Sequence, residues 1–183
     1  MNLTDHFLIS MPDVTDPYFA KSLIYIAEHH ERGALGLMVN RPLSLTFGAF
    51  LQKMDITLEK TEMSDLPVFL GGPVQPERGF VLHRPQGKWQ STLKISNDLG
   101  LTASRDILHA LSEKGAPADF LVVIGYSGWN AGQLESEIKR NAWLTLPADH
   151  GLMFDLPPEK RLGQAMQNLG ISEVHFSAQA GHA

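Results

Sequence analysis

No cysteine occurs in the 183 residues of this chain, so disulfide scaffolds, Cys-ligated zinc, iron–sulfur clusters and thiol catalysis are excluded together. Long apolar runs are missing as well. Phe120–Ile124 falls far short of the roughly 20 apolar residues that a membrane span needs. The opening MNLTDHFLISMPD places Asp5 where a secretory leader carries positive charge, and its apolar run is short, so it is expected to be mature chain. Basic clusters are scarce too. Fifteen Lys and Arg stand against 20 Asp and Glu, the net charge is −5, and Lys139–Arg140 and Lys160–Arg161 are only doublets. Duplex binding relies on clustered cations that displace counterions from phosphate, so direct DNA binding is not expected. Neither H-x-x-x-H nor H-E-x-x-H occurs, and no metal or cofactor is expected.

What is present suits a soluble cytoplasmic protein with one packed domain over residues 1–183. Hydrophobic residues make up 43% and charged residues 19%, and the length suffices for a substantial core. Ser22–Glu28 and Ala34–Asn40 predict a β-hairpin, with Gly33 easing its turn. Phe47, Phe50, Leu51 and Met54 recur at helical spacing and predict a helix from about Thr46. Short strands are expected at Val68–Leu70, Gly79–His83 and Trp89–Ile95. Thr102 is expected to cap a helix over 103–114, ended by Gly115 and Pro117. Phe120–Gly125 reads as the most buried strand. A turn at Tyr126–Asn130 should follow, then a helix to about Arg140 opened by a capping-box pair, Asn130 and Gln133. Leu144–Leu146 and Leu152–Phe154 are expected to be short strands, and Pro157–Pro158 to open a last helix closed by Gly170. The tail, residues 177–183, is expected to fray. Early hairpins and later strand–helix units predict an α+β protein with a mixed sheet.

Six segments taken together resemble one family. They are MPDVTDPYFAKSLIYI at 11–26, GALGLMVNRP at 33–42, VFLGGPVQPERGFVLHR at 68–84, SNDLGLTASRDIL at 96–108, GYSGWNAGQLESEIKRNAWL at 125–144 and LMFDLPPEKR at 152–161. In this order they are similar to the AlgH/YqgE family of small bacterial proteins. The resemblance implies a compact α+β fold with a bent or bifurcated mixed sheet, partly barrel-like and surrounded by helices. It implies no established activity, and some relatives carry a transcriptional-regulator label.

The candidate chemistry gathers in three loops. Ser127 lies in Gly125-Tyr126-Ser127-Gly128-Trp129, which departs from the G-x-S-x-G of a nucleophile elbow because Trp129 fills the last glycine position. Gly125, Gly128 and Gly132 match neither phosphate-binding glycine pattern, and Glu135 and Glu137 would repel a phosphate there. Gly71–Gly72–Pro73 supplies a bend or a close backbone approach. Asn40–Arg41 ends the hairpin, where Arg41 would grip an anion or form a salt bridge to Asp13 or Asp16. His29–His30, beside Glu28 and Glu31, fit a solvated turn. The expectation is a non-catalytic binding or regulatory protein whose ligand is a protein or small molecule. Its recognition surface would comprise Asn40, Arg41, Gly71, Gly72, Tyr126, Ser127, Trp129 and Asn130. The alternative is a hydrolase or transferase that uses Ser127, with a histidine base, on a small polar metabolite.

Overall fold

The computed structural model describes residues 1–113 and 117–172. They divide into two compact units, one of Met1–Arg41 with Ser127 onward, the other of Pro42–Tyr126. Among the described residues no helix is long and apolar enough to cross a membrane.

The first unit is built on an antiparallel sheet of β1 (His6–Ser10), β2 (Leu23–His30), β3 (Gly33–Met38), the end of β9 (Asp119–Asn130) and β10 (Trp143–Pro147), in the order β10-β1-β2-β3-β9. Phe7, Leu8 and Ile9 of β1 and Leu23 to Ile26 of β2 are all fully buried. Strands covered on both faces read as continuous apolar runs rather than alternating ones. The expected hairpin is β2 and β3, with a register shift between Ile26 and Glu28. Helix α5 (Pro158–Asn168) packs on β1, and α3 (Gln133–Lys139) packs on β3 and β10. Pro158 sits at the start of α5, where its missing N–H is harmless, and Gly170 follows its end at φ 74°.

The second unit holds β4 (Pro42–Thr46), β5 (Pro67–Leu70), β6 (Val74–Arg84), β7 (Thr92–Lys94), β8 (Gly100–Thr102) and residues 119–126 of β9, ordered β4-β5-β9-β6-β8-β7. The β5–β9 pair is parallel and the others antiparallel. Helix α1 (Phe47–Lys53) is capped by the Thr46 hydroxyl, which accepts from the Ala49 N–H at 3.2 Å. Its Phe47 and Leu51 join Val68, Val81, Val122 and the Ile107–Leu111 stripe of α2 (Asp106–Ser112) in one core. The fold is α+β, with a mixed sheet that bifurcates along β9: residues 119–126 pair with β5 and β6, and residues 127–130 with β3.

Three expectations are corrected. Tyr126–Asn130 is not a turn but the last stretch of β9, and the reversal falls at Ala131–Gly132, with Gly132 at φ 73°. Thr102 ends β8 instead of capping a helix, because α2 starts only at Asp106, whose carboxylate accepts from its neighbour's amide, Ile107 N–H, at 3.0 Å. Leu152–Phe154 lies in α4 (His150–Asp155), nucleated by Asp149, whose side chain accepts from the Leu152 N–H. The expected helix end at Gly115 and the tail at 177–183 lie outside the described residues.

Candidate functional site

On the last four residues of β9, side chains alternate across the sheet. Ser127 and Trp129 point inward, at 1% and 7% exposure, while Gly128 and Asn130 face solvent. Glu137 of α3 organises this end. One carboxylate oxygen accepts the indole N–H of Trp129 at 2.9 Å and that of Trp143 at 2.8 Å, and the two indoles meet edge to face at 6.2 Å. The other oxygen accepts from the Gln133 amide at 3.0 Å. Gln133 accepts in turn from the Asn130 N–H at 3.0 Å, but the expected capping box does not form, because Asn130 ends β9 and the N-cap of α3 is Gly132, which has no side chain to return the bond. Gly36 makes room for the indole, since a Cβ there would stand 3.0 Å from the Trp129 ring. Trp129 is therefore a core residue with a satisfied N–H.

Asn40 and Arg41 close a neighbouring loop. Asn40 accepts from the Leu23 N–H and donates to the Lys21 carbonyl, both at 2.9 Å. Arg41 donates to the carbonyls of Tyr18 and of Ala20, the latter at 3.0 Å, and stands 6.0 Å from the Tyr18 ring centre. The expected bridge to Asp13 or Asp16 is replaced by these carbonyls, while Asp16 caps its own turn by accepting from the Tyr18 N–H at 2.8 Å. The doublet arginine Arg161 is likewise internal. It is 4% exposed and donates to the carbonyls of Val39 and Leu156, and burial pushes its pKa down to about 10.

His29 is not in a solvated turn. It is 4% exposed, and its Nδ1 accepts from the Leu3 N–H at 3.0 Å. The proton therefore sits on Nε2, which donates to Glu135 Oε1 at 2.8 Å. The Glu135 carboxyl is held below its usual range by its own backbone N–H and then by His29. So Glu135 and Glu137, charges that would repel an anion, are structural acceptors. Asp5, at φ 61°, accepts from the buried Tyr25 hydroxyl at 2.8 Å and from His150 Nε2 at 2.7 Å. Burial and the Asp5 charge push the Tyr25 phenol far up.

In the second unit Gly71, Gly72 and Gly125 bring two backbone segments together. A Cβ at Gly71 would strike the Gly125 carbonyl oxygen, and one at Gly125 the Gly72 carbonyl oxygen. The Gly71 N–H donates to the Ile124 carbonyl at 2.8 Å. Half-buried Tyr126 meets Phe80 edge to face at 5.8 Å, and the Arg78 guanidinium lies 5.1 Å from the same Phe80 ring. Phe80 and Arg78 line a cleft of about 150 Å³ together with Phe50, Met54, Gly79 and Thr102 to Arg105. Behind it, fully buried His83 donates from Nδ1 to the Pro85 carbonyl at 3.0 Å, so its Nε2 accepts from the Thr102 hydroxyl at 2.7 Å. Burial lowers the His83 pKa, against the Pro85 bond that raises it.

The sequence-chosen residues thus fall into two groups. Asn40, Arg41, Ser127, Trp129 and Asn130 belong to the first unit, and Gly71, Gly72 and Tyr126 to the second. Sequence reasoning missed Glu137, Asp5 and the Arg78–Arg105 cleft. One signal was available for the cleft: Phe50 and Met54 belong to the apolar stripe of α1 and its C-cap, and they are only partly buried against the core.

Residues 7–173 match the AlgH-like family model. A UPF0301 protein of Dechloromonas aromatica is 57% identical over 183 residues, covering all of this chain and 98% of the relative. One from Vibrio cholerae is 47% identical over 187 residues, covering 100% of each. The solution structure of the AlgH protein from Pseudomonas aeruginosa is similar with a TM-score of 0.82 at 44% identity, covering 100% of this chain and 97% of that one. A Corynebacterium diphtheriae crystal structure, at 18% identity and TM-score 0.69 over 96% of this chain and 90% of its own, shares the fold.

Proposed function

The chain belongs to the AlgH-like family, and on that premise we propose that it is a cytoplasmic binding or regulatory protein without a reaction of its own. One observation carries the reading: the groups that look reactive in the sequence are built into the fold. His29 is clasped by Leu3 and Glu135, and His83 by Pro85 and Thr102. Ser127 is 1% exposed within a strand rather than raised on a strained elbow. A nucleophile needs reach to a substrate, and a base needs a free ring nitrogen at the right pH.

Residues 1–183 are treated as one functional domain. Recognition is assigned within each unit to the sequence-chosen groups, Asn40, Arg41, Ser127, Trp129 and Asn130 in one, Gly71, Gly72 and Tyr126 in the other. Asn130 is exposed and Asn40, Arg41 and Tyr126 are half-buried, so these four reach solvent, while the buried Ser127, Trp129, Gly71 and Gly72 hold the backbone that carries them. A thermal-shift screen of the full chain against a metabolite collection tests this. A specific ligand raises Tm by mass action, and Tyr126→Ala or Asn130→Ala should reduce that rise while leaving the unliganded Tm within a few degrees. A rise untouched by both substitutions contradicts the surface assignment.

A further inference from the structure

We infer that the cleft in the second unit binds a small monocarboxylate with a flat apolar body of about benzene size, its carboxylate held by Arg78 and Arg105. The inference rests on the binding reading above and adds a ligand class, seated beside Phe80, the ring that Tyr126 meets, rather than on the residues assigned there. Four observations carry it.

The first is size. The cleft holds about 150 Å³, close to the volume at which an apolar protein cavity accepts a benzene ring. A nucleotide or a sugar phosphate would project from it into solvent. The second is the lining. Phe50, Met54, Phe80 and Ile107 give an apolar floor, and Gly79 leaves open the space that a side chain would fill. A Cβ at Gly79 would sit 3.3 Å from Phe50 Cζ, and its backbone is not in a positive-φ conformation.

The third is charge. Arg78 and Arg105 line the cleft together with one carboxylate, Glu77, leaving one surplus positive charge. Among the described residues no carboxylate lies within ion-pair distance of either arginine. One surplus charge matches a monoanion, and Glu77 disfavours a dianion such as a phosphate monoester. The fourth is preorganisation. Arg78 is placed over Phe80 and donates to Gln75 Oε1 at 3.2 Å, while Arg105 donates one N–H to the Met54 carbonyl. Each guanidinium is anchored at one edge and keeps other N–H groups for a planar carboxylate.

Benzoate is the probe. We would follow backbone amide NMR shifts of the uniformly labelled full chain during titration with benzoate, benzyl alcohol and inorganic phosphate. Benzoate should give saturable shifts centred on Gly79–Val81 and Thr102–Leu108, with a Kd of about 1 mM as expected for so small a ligand. Benzyl alcohol keeps the ring and loses the charge, so it should bind about tenfold more weakly or worse. Arg78→Gln with Arg105→Gln should weaken benzoate by a similar factor, both sites being exposed and their spectra otherwise unchanged. Gly79→Ala should also weaken it, through lost volume.

Absence of saturable shifts, or shifts centred elsewhere, overturns the site. Equal binding of benzyl alcohol overturns the role of the arginines, and phosphate binding as tight as benzoate overturns the carboxylate assignment. These failures are distinguishable from failure of the binding reading, which fails on turnover of a metabolite rather than on benzoate.

Discussion

Glu137 sets the aromatic end of β9 through one oxygen shared by two indole N–H groups. Replacing it with leucine removes both acceptors while both indoles stay buried. Each orphaned N–H costs about 1–3 kcal/mol, so Glu137→Leu should lower unfolding stability by at least about 2 kcal/mol in urea denaturation, and Glu137→Gln, which keeps a carbonyl acceptor, should lose less. His83 supplies a pH dependence. Its folded pKa is lowered by burial, so as pH falls through about 6.5 the unfolded chain takes up that proton first. The His83 contribution is therefore full above that pH and declines below it. The urea midpoint of the wild type minus that of His83→Gln should narrow between pH 7.5 and about 5.5; a gap that widens on acidification has the wrong sign. Trp129 shows why such roles were hard to read from the sequence. Its core position follows from strand alternation and from Gly36, which lies more than ninety positions away in the chain. The carboxylate that satisfies its N–H was legible only as a surface charge on a helix.

At the scale of elements, the hairpin β2–β3, helices α1, α3 and α5 and strand β5 follow from apolar spacing and capping residues, and the structure has them there. Strand β9 overran its expected end because Tyr126–Asn130 holds turn-forming residues whose alternation, inward at Ser127 and Trp129, is still that of a strand. Pairing of Gly33–Gly36 with Ser127–Asn130 overrides local turn preference there. β1 escaped notice because four consecutive buried residues, Phe7 to Ser10, carry no period to detect, and β4 because Pro42 opens it. The two glycines at the ends of this region should respond differently to alanine. A Cβ at Gly132 meets nothing within 4 Å, so Gly132→Ala should cost only the left-handed backbone penalty, about 1–2 kcal/mol. At Gly33 a Cβ would collide with the Trp129 carbonyl oxygen as well, so Gly33→Ala should cost clearly more. Parallel urea titrations rank them, and the reverse order contradicts the β3–β9 register.

For the whole molecule, the six sequence blocks identified the family, and the match over residues 7–173 agrees. They were a better guide to fold than to site, because the residues that make them distinctive hold the fold together. Asn40, Arg41, Trp129 and the Gly71–Gly125 crossing all close backbone or core. The cleft escaped sequence reasoning because its two arginines lie in different family blocks, far apart in the chain, with no spacing that ties them to one site. Only the pairing of β6 with β8 brings their segments together. The central claim, binding without turnover, is most directly tested by mass spectrometry. The full chain at a concentration equal to that of its stabilising ligand is incubated, and the ligand is recovered over hours. The ligand should return unchanged in mass and amount, with Ser127→Ala giving the same recovery. Time-dependent loss of the ligand that Ser127→Ala abolishes would contradict that claim.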